Sequence, residues 1–110
     1  MASLAWKPAP NSRRLLLDVR AGDPKPADPY AGEWWSGWYA IIEWQAAGRW
    51  EWTVWAPQRH ASGPARDWGE APTAGRARQM AAACLLRLLP DPSDDERAQL
   101  ASTAAIADAV

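Results

Sequence analysis

Apolar and polar residues alternate over Arg13-Arg14-Leu15-Leu16-Leu17-Asp18-Val19-Arg20. Leu15, Leu17 and Val19 fall on one face and Arg14, Asp18 and Arg20 on the other, a period of two that predicts a short strand. A stronger signal of the same kind lies at 38–56. Trp38-Tyr39-Ala40-Ile41-Ile42-Glu43-Trp44 and Arg49-Trp50-Glu51-Trp52-Thr53-Val54-Trp55 are aromatic and β-branched. The Ala46-Ala47-Gly48 between them fits a three-residue hairpin loop with Gly48 in the left-handed conformation. That turn sets Gln45 opposite Arg49. Counting outward, Trp44 pairs with Trp50, Ile42 with Trp52 and Ala40 with Val54 on the face predicted to be core. The other face pairs Glu43 with Glu51, Ile41 with Thr53 and Tyr39 with Trp55.

Beyond the hairpin, 57–64 reads as a loop containing His60, and Ala65-Arg66-Asp67-Trp68 as a third strand of this region ending at Gly69. The period then becomes helical. Thr73 is a plausible N-cap, no proline interrupts the next sixteen residues, and Pro90 stops the run, predicting a helix over 74–89. Ala77, Ala81, Cys84, Leu85 and Leu88 form its apolar stripe, whose small upper half suits the large Trp50 and Trp52 of the sheet. A second helix starts at Ser93, which caps it reciprocally with Glu96, and runs to about Ala109 with a weak stripe of Leu100, Ala104 and Ala107.

These elements predict an α+β fold: a three- or four-stranded antiparallel sheet, one face covered by a helix, plus a C-terminal helix. Residues 1–12, polar and broken by Pro8 and Pro10, are expected to be a flexible N-terminus. Residues 13–110 form a single small α+β domain, with a Pro-rich linker at 21–33 inside it. A length of 110 residues fits one core.

Composition narrows the function. Twelve Lys+Arg stand against 13 Asp+Glu, so no global field selects nucleic acid or an anionic membrane. The longest apolar run, Met80-Ala81-Ala82-Ala83-Cys84-Leu85-Leu86, is far below the roughly 18 residues needed to span a bilayer, and the N-terminus lacks a hydrophobic signal core, so a cytoplasmic protein is expected. A single cysteine, Cys84, excludes a disulfide within the chain and a cysteine-based zinc site. Abundant Ala, ten Arg against two Lys, and Trp in place of Phe are what GC-rich codons produce, which suggests a high-GC bacterium or one of its phages.

No catalytic constellation emerges. His60 is the only histidine and its loop offers no carboxylate at ligand spacing, so a solvated loop residue is expected. Cys84 sits on the apolar stripe as a buried, inert thiol. Glu43 opposite Glu51 is the one paired-carboxylate candidate; the simpler expectation is that both point into water near an arginine. No catalytic residue, metal ligand or cofactor is therefore assigned.

What remains is aromatic: nine Trp, two Tyr and no Phe. With Trp44, Trp50 and Trp52 in the core, Tyr39, Ile41 and Trp55 lie on the opposite face, with Trp34 and Trp35 just before the strand. Together they would expose an apolar patch on the order of 300–600 Å². Either the strand at 13–20 or the C-terminal helix folds over it, or it is a binding surface.

The run Gly69-Glu70-Ala71-Pro72-Thr73-Ala74-Gly75-Arg76-Ala77-Arg78-Gln79-Met80-Ala81-Ala82-Ala83-Cys84-Leu85-Leu86 resembles the end of a double-stranded-RNA-binding domain. In that family a glycine-rich turn, a Ser or Thr cap and an Ala-rich helix follow three antiparallel strands. The resemblance covers 38–89 and implies a scaffold more than an activity. The family's phosphate-holding lysines at the helix start are here Ala74 and Gly75, leaving Arg76 and Arg78 one turn in.

The sequence thus points to a small non-catalytic binding protein that engages another protein through Trp34, Trp35, Tyr39, Ile41 and Trp55, in the manner of an inhibitor, adaptor or phage-encoded modulator. The first alternative is single-stranded nucleic-acid or RNA binding, with Tyr39 and Trp55 stacking on bases and Arg49, Arg59, Arg66, Arg76 and Arg78 contacting phosphates. The second is carbohydrate binding on the same aromatic platform.

Overall fold

A computed structural model describes residues 4–9, 13–28 and 32–104. Five strands and two helices follow in chain order: β1 (Lys7–Pro8), β2 (Arg14–Arg20), β3 (Trp38–Ala46), β4 (Arg49–Trp55), β5 (Asp67–Ala71), α1 (Ala74–Leu88) and α2 (Asp94–Ala104). The strands form one sheet in the order β1-β2-β3-β4-β5, every neighbour antiparallel. The α+β class is as the sequence predicts. The strand count is five instead of three or four because Lys7 and Pro8 pair with Leu16 and Leu15, where the sequence predicts no element.

The β3–β4 hairpin holds the predicted pairs on both faces, from Tyr39 opposite Trp55 to Trp44 opposite Trp50. The expectation differs at the turn. Ala46, not Gln45, lies opposite Arg49, because the strand bulges between Trp44 and Ala46. Gly48 takes the left-handed conformation with φ 72°, which closes this bulged turn without a Cβ clash. The next strand also shifts: β5 begins at Asp67 and continues through Gly69 to Ala71, so Gly69 is a strand residue and not its end.

One face of the sheet carries Leu17, Ala40, Ile42, Trp52, Val54 and Ala71, all buried in one core with α1, which packs on β3, β4 and β5. The helix answers with its small residues Ala77, Ala81, Ala82 and Cys84, and with Leu85. Small side chains there leave room for the Trp52 indole, which lies directly across from Gly69. Burying the larger side chains, Leu17, Ile42, Leu85 and Val54, stabilises the fold by roughly 1.5–3 kcal/mol each. Thr73 caps α1 as expected, its Oγ1 accepting from the Arg76 amide at 3.1 Å.

Ser93 and Glu96 form the reciprocal cap of α2: the Ser93 amide donates to Glu96 Oε1 at 2.9 Å and the Glu96 amide to Ser93 Oγ at 3.0 Å. The helix packs on α1, with Leu100 buried, and its predicted extension beyond residue 104 lies outside the described residues. Its other tether crosses from the sheet. Arg20 donates from Nε and Nη2 to the two Glu96 oxygens at 2.7 and 2.8 Å, and from Nη2 to the Pro90 carbonyl at 3.0 Å. The Arg20 hydrogen bonds, together with that from the Ser93 amide, hold the Glu96 carboxyl down at about 2.

Two outcomes follow from this packing. A Cβ on Gly69 would sit 2.7–2.8 Å from Nε1, Cε2 and Cζ2 of Trp52. Gly69→Ala should therefore destabilise the domain by about 1–3 kcal/mol in a urea melt, and an unchanged midpoint would show that the indole yields without cost. Glu96 titrates lower in the folded chain than in the unfolded one, so its contribution is complete above the ordinary carboxylate range and lost as pH falls from 4.5 towards 2. Glu96→Gln should lower the melting temperature at neutral pH, with native and variant curves converging near pH 2.

Candidate functional site

Alternation sends every second side chain of the sheet away from α1. On that far face, Leu16, Ile41, Thr53 and Trp68 form one cross-strand row. Asp18, Tyr39 and Trp55 form a second, and Arg14, Glu43, Glu51 and Glu70 a third. Neither element expected to cover this face does so. The strand at 14–20 joins the sheet as its next member, and α2 packs on α1, on the opposite side.

The aromatic residues here are held in place. Tyr39 and Trp55 stack with ring centroids 5.6 Å apart and planes 3° from parallel. Trp55 Nε1 donates to Thr53 Oγ1 at 3.0 Å, fixing the indole flat along its own strand. Burial, with the nearby Asp18 charge second, raises the pKa of the Tyr39 hydroxyl, which therefore stays a neutral donor. Trp68 is 66% exposed at the edge strand, the most accessible large apolar side chain among the described residues. The sequence reading omitted it, since its face follows only from the β4–β5 register, which pairs it with Thr53.

The two tryptophans ahead of β3 separate. Trp35 is 46% exposed and pairs across to Arg59, continuing the hairpin ladder outward from Tyr39. Trp34 is 9% exposed and stacks on His60, centroids 5.4 Å apart, with Lys25 Nζ 5.7 Å from its ring centre. Trp34 is thus a wall of the surface and not an exposed anchor. His60 is correspondingly no solvated loop residue: it is half-buried, with φ 55° and Nε2 3.1 Å from the Gly32 carbonyl. A groove of about 460 Å³ runs beside Tyr39, lined by Leu16, Asp18, Lys25, Trp34 and Trp35 among others.

The arginines divide, Arg49, Arg59 and Arg66 alternating onto the open side with Glu51, Trp35 and Trp68, and Arg76 and Arg78 lying on the helix side. Arg49 is exposed at the hairpin turn, Arg59 pairs with Glu33 at 2.8 Å, and Arg66 precedes β5. Arg76 and Arg78 lie on α1, across the sheet from the aromatic rows. The arginine beside Glu43 is Arg14, and its guanidinium holds that carboxyl below the usual range. Glu43 is therefore an ionised acceptor, not a shared-proton acid. Cys84 is buried on α1 with its thiol pushed up to about 11, first by burial and then by Asp67, which accepts from Sγ at 3.5 Å. Such a thiol is a poor nucleophile at neutral pH. Among the described residues no group of three His, Cys, Asp or Glu is arranged to hold a metal ion, and no helix is long and apolar enough to cross a membrane.

Comparison of the chain with protein-family models, with curated proteins and with solved structures finds no match.

The geometry separates two kinds of tryptophan, and the melting temperature should separate them too. Trp52→Ala removes a buried indole and should cost roughly 3–5 kcal/mol. Trp68→Ala removes an exposed one and should change stability by no more than about 0.5 kcal/mol. A large loss in Trp68→Ala would show that this ring is structural.

Proposed function

We propose that this protein is a small non-catalytic binding module that engages another protein through the open face of its sheet, with Tyr39, Ile41, Trp55 and Trp68 as the contact residues and Trp35 beside them. The observation that carries this reading is a group of stacked and exposed aromatics in adjacent rows of a sheet face that neither helix covers. Large rigid rings bury much area while losing little rotamer freedom, which makes Trp and Tyr the favoured anchors of protein interfaces. The face also carries Asp18, Glu43, Glu51 and Glu70 close to the rings, an arrangement that repels a phosphate backbone. This disfavours the nucleic-acid alternative, as does the placement of Arg76 and Arg78 on α1, away from the rings.

Within the same reading the protein acts in the reducing cytoplasm of a high-GC bacterium, as an adaptor, an inhibitor or a phage-borne modulator. Its lone buried thiol and arginine-rich composition support that setting.

Selection from a random linear-peptide display library on the native domain, counter-selected on a Trp55→Ser/Trp68→Ser variant, tests the proposal. Peptides that bind the native domain and lose most of their affinity for the variant are the expected result. Enrichment of only those peptides that bind both proteins equally would overturn it, with circular dichroism confirming that the variant is folded.

A further inference from the structure

Resting on that reading of the open face, the geometry points to the chemistry of its occupant: we infer that the partner presents a cationic polypeptide segment, apolar residues against Tyr39, Trp55 and Trp68 with Arg or Lys side chains over the row Glu43, Glu51 and Glu70. The row is set by the ladder, since Glu43 is paired with Glu51 and Glu51 with Glu70 across three adjacent strands. Neighbouring strands lie about 4.8 Å apart, so three carboxylates share a span of roughly 10 Å. Like charges placed directly across a ladder destabilise the pair. The Arg14 guanidinium pairs with Glu43, while among the described residues Glu51 and Glu70 make no ion pair, Arg49 standing two residues from Glu51 on the same strand. Glu51 and Glu70 are both exposed.

A second observation places the partner's cation. Between the acidic row and the aromatic row lies a notch of about 110 Å³, lined by Arg14, Ile41, Glu43, Glu51, Thr53 and Trp55. Arg14 takes the Glu43 side of the notch, and Glu51 with the Trp55 indole forms the side that suits a further ammonium or guanidinium group: ion pairing from the carboxylate and the negative face of the ring beside it. The adjoining groove adds Asp18 and Asp23 beside Trp35 and Tyr39, with Lys25 the one cation in its lining. A cation docked there relieves the repulsion within the row, a gain absent for an acidic or neutral segment of equal apolarity. A free metal ion does not fit the same description, because the carboxylates lie side by side along the ladder and do not converge.

Three labelled synthetic peptides test this: alternating Leu and Arg, the same with Glu in place of Arg, and the same with Ser in place of Arg. Each is titrated by fluorescence anisotropy against the native domain, a Glu51→Gln/Glu70→Gln variant and the Trp55→Ser/Trp68→Ser variant, at about 50 and 200 mM salt. The Leu/Arg peptide should bind the native domain about tenfold more tightly than the Leu/Ser peptide, lose that margin in the glutamine variant, and weaken at the higher salt. The Leu/Glu peptide should bind least. Equal binding of the three peptides, or Leu/Arg binding unchanged in the glutamine variant, would overturn the cationic partner. The protein-binding reading would survive that result if the Trp55→Ser/Trp68→Ser variant still lost every peptide. Absence of binding by the native domain, or equal binding by native and aromatic variant, would overturn both. Preferential binding of labelled single-stranded DNA over all three peptides would also reject the inference.

Discussion

The register of the β3–β4 hairpin decides what every other part of the molecule has to do. With Ile42 opposite Trp52 and Ala40 opposite Val54, one face becomes a continuous apolar surface that a helix of small residues covers. A slip by one residue would exchange the faces, sending Glu43 and Glu51 under α1 and Trp52 into water. Unpaired carboxylates in a dry core cost several kcal/mol each, so the slipped arrangement is excluded on energy alone. The bulge at Trp44 and Ala46 and the left-handed Gly48 anchor that register at the turn. Everything outward from the turn then follows by alternation.

The same alternation explains how much of the structure was legible in the sequence. Hairpin pairing, the Thr73 cap and the Ser93–Glu96 box are local: each depends on residues within a few positions, and each has a residue-type signature. Features that depend on distant contacts were not legible. Lys7 and Pro8 have no strand signature, and they pair only because β2 presents an edge beside Leu15 and Leu16. Trp68 and Glu70 acquire their places on the open face from the β4–β5 register, which the long irregular loop between Trp55 and Asp67 does not fix locally as the short β3–β4 turn does. Trp34 reads as one of a surface pair with Trp35, yet His60 reaches it from 26 positions away and covers one of its faces. The site was therefore half visible: the hairpin's Tyr39, Ile41 and Trp55 were found, and the acidic row that gives the face its polarity was seen only as the isolated pair Glu43 and Glu51.

Replacing Phe by Trp throughout a small domain has a physical consequence beyond size, since every indole brings an N–H that wants an acceptor. On the open face the requirement is met, as Trp55 donates to Thr53. In the interior it is not: Nε1 of Trp6, Trp34 and Trp52 is buried without a partner. Each such group costs on the order of 1–3 kcal/mol, which the apolar area of the ring has to offset. The small residues Ala77, Ala81 and Ala82 of α1 in the same core leave volume that a large ring such as Trp52 fills. Gly69 belongs to the same economy, its missing Cβ being the volume that Trp52 occupies.

The core face and the open face proposed for recognition are linked by backbone but not by shared side chains. Core residues such as Ile42, Val54 and Leu85 have to satisfy packing against α1 and are constrained by it. Residues of the open face satisfy only the ladder and each other, so Trp68, Glu51 and Glu70 are free to be set by what they meet. That freedom makes their chemistry informative. A domain under no demand beyond folding would gain from replacing one carboxylate of the row by a lysine, which converts a repulsive cross-strand pair into an attractive one worth several tenths of a kcal/mol or more. It would also gain solubility by replacing an indole as exposed as Trp68 with a polar side chain. Both departures from the stable, soluble choice occur side by side on one uncovered face, and folding alone accounts for neither, which is the physical ground on which the proposed partner rests.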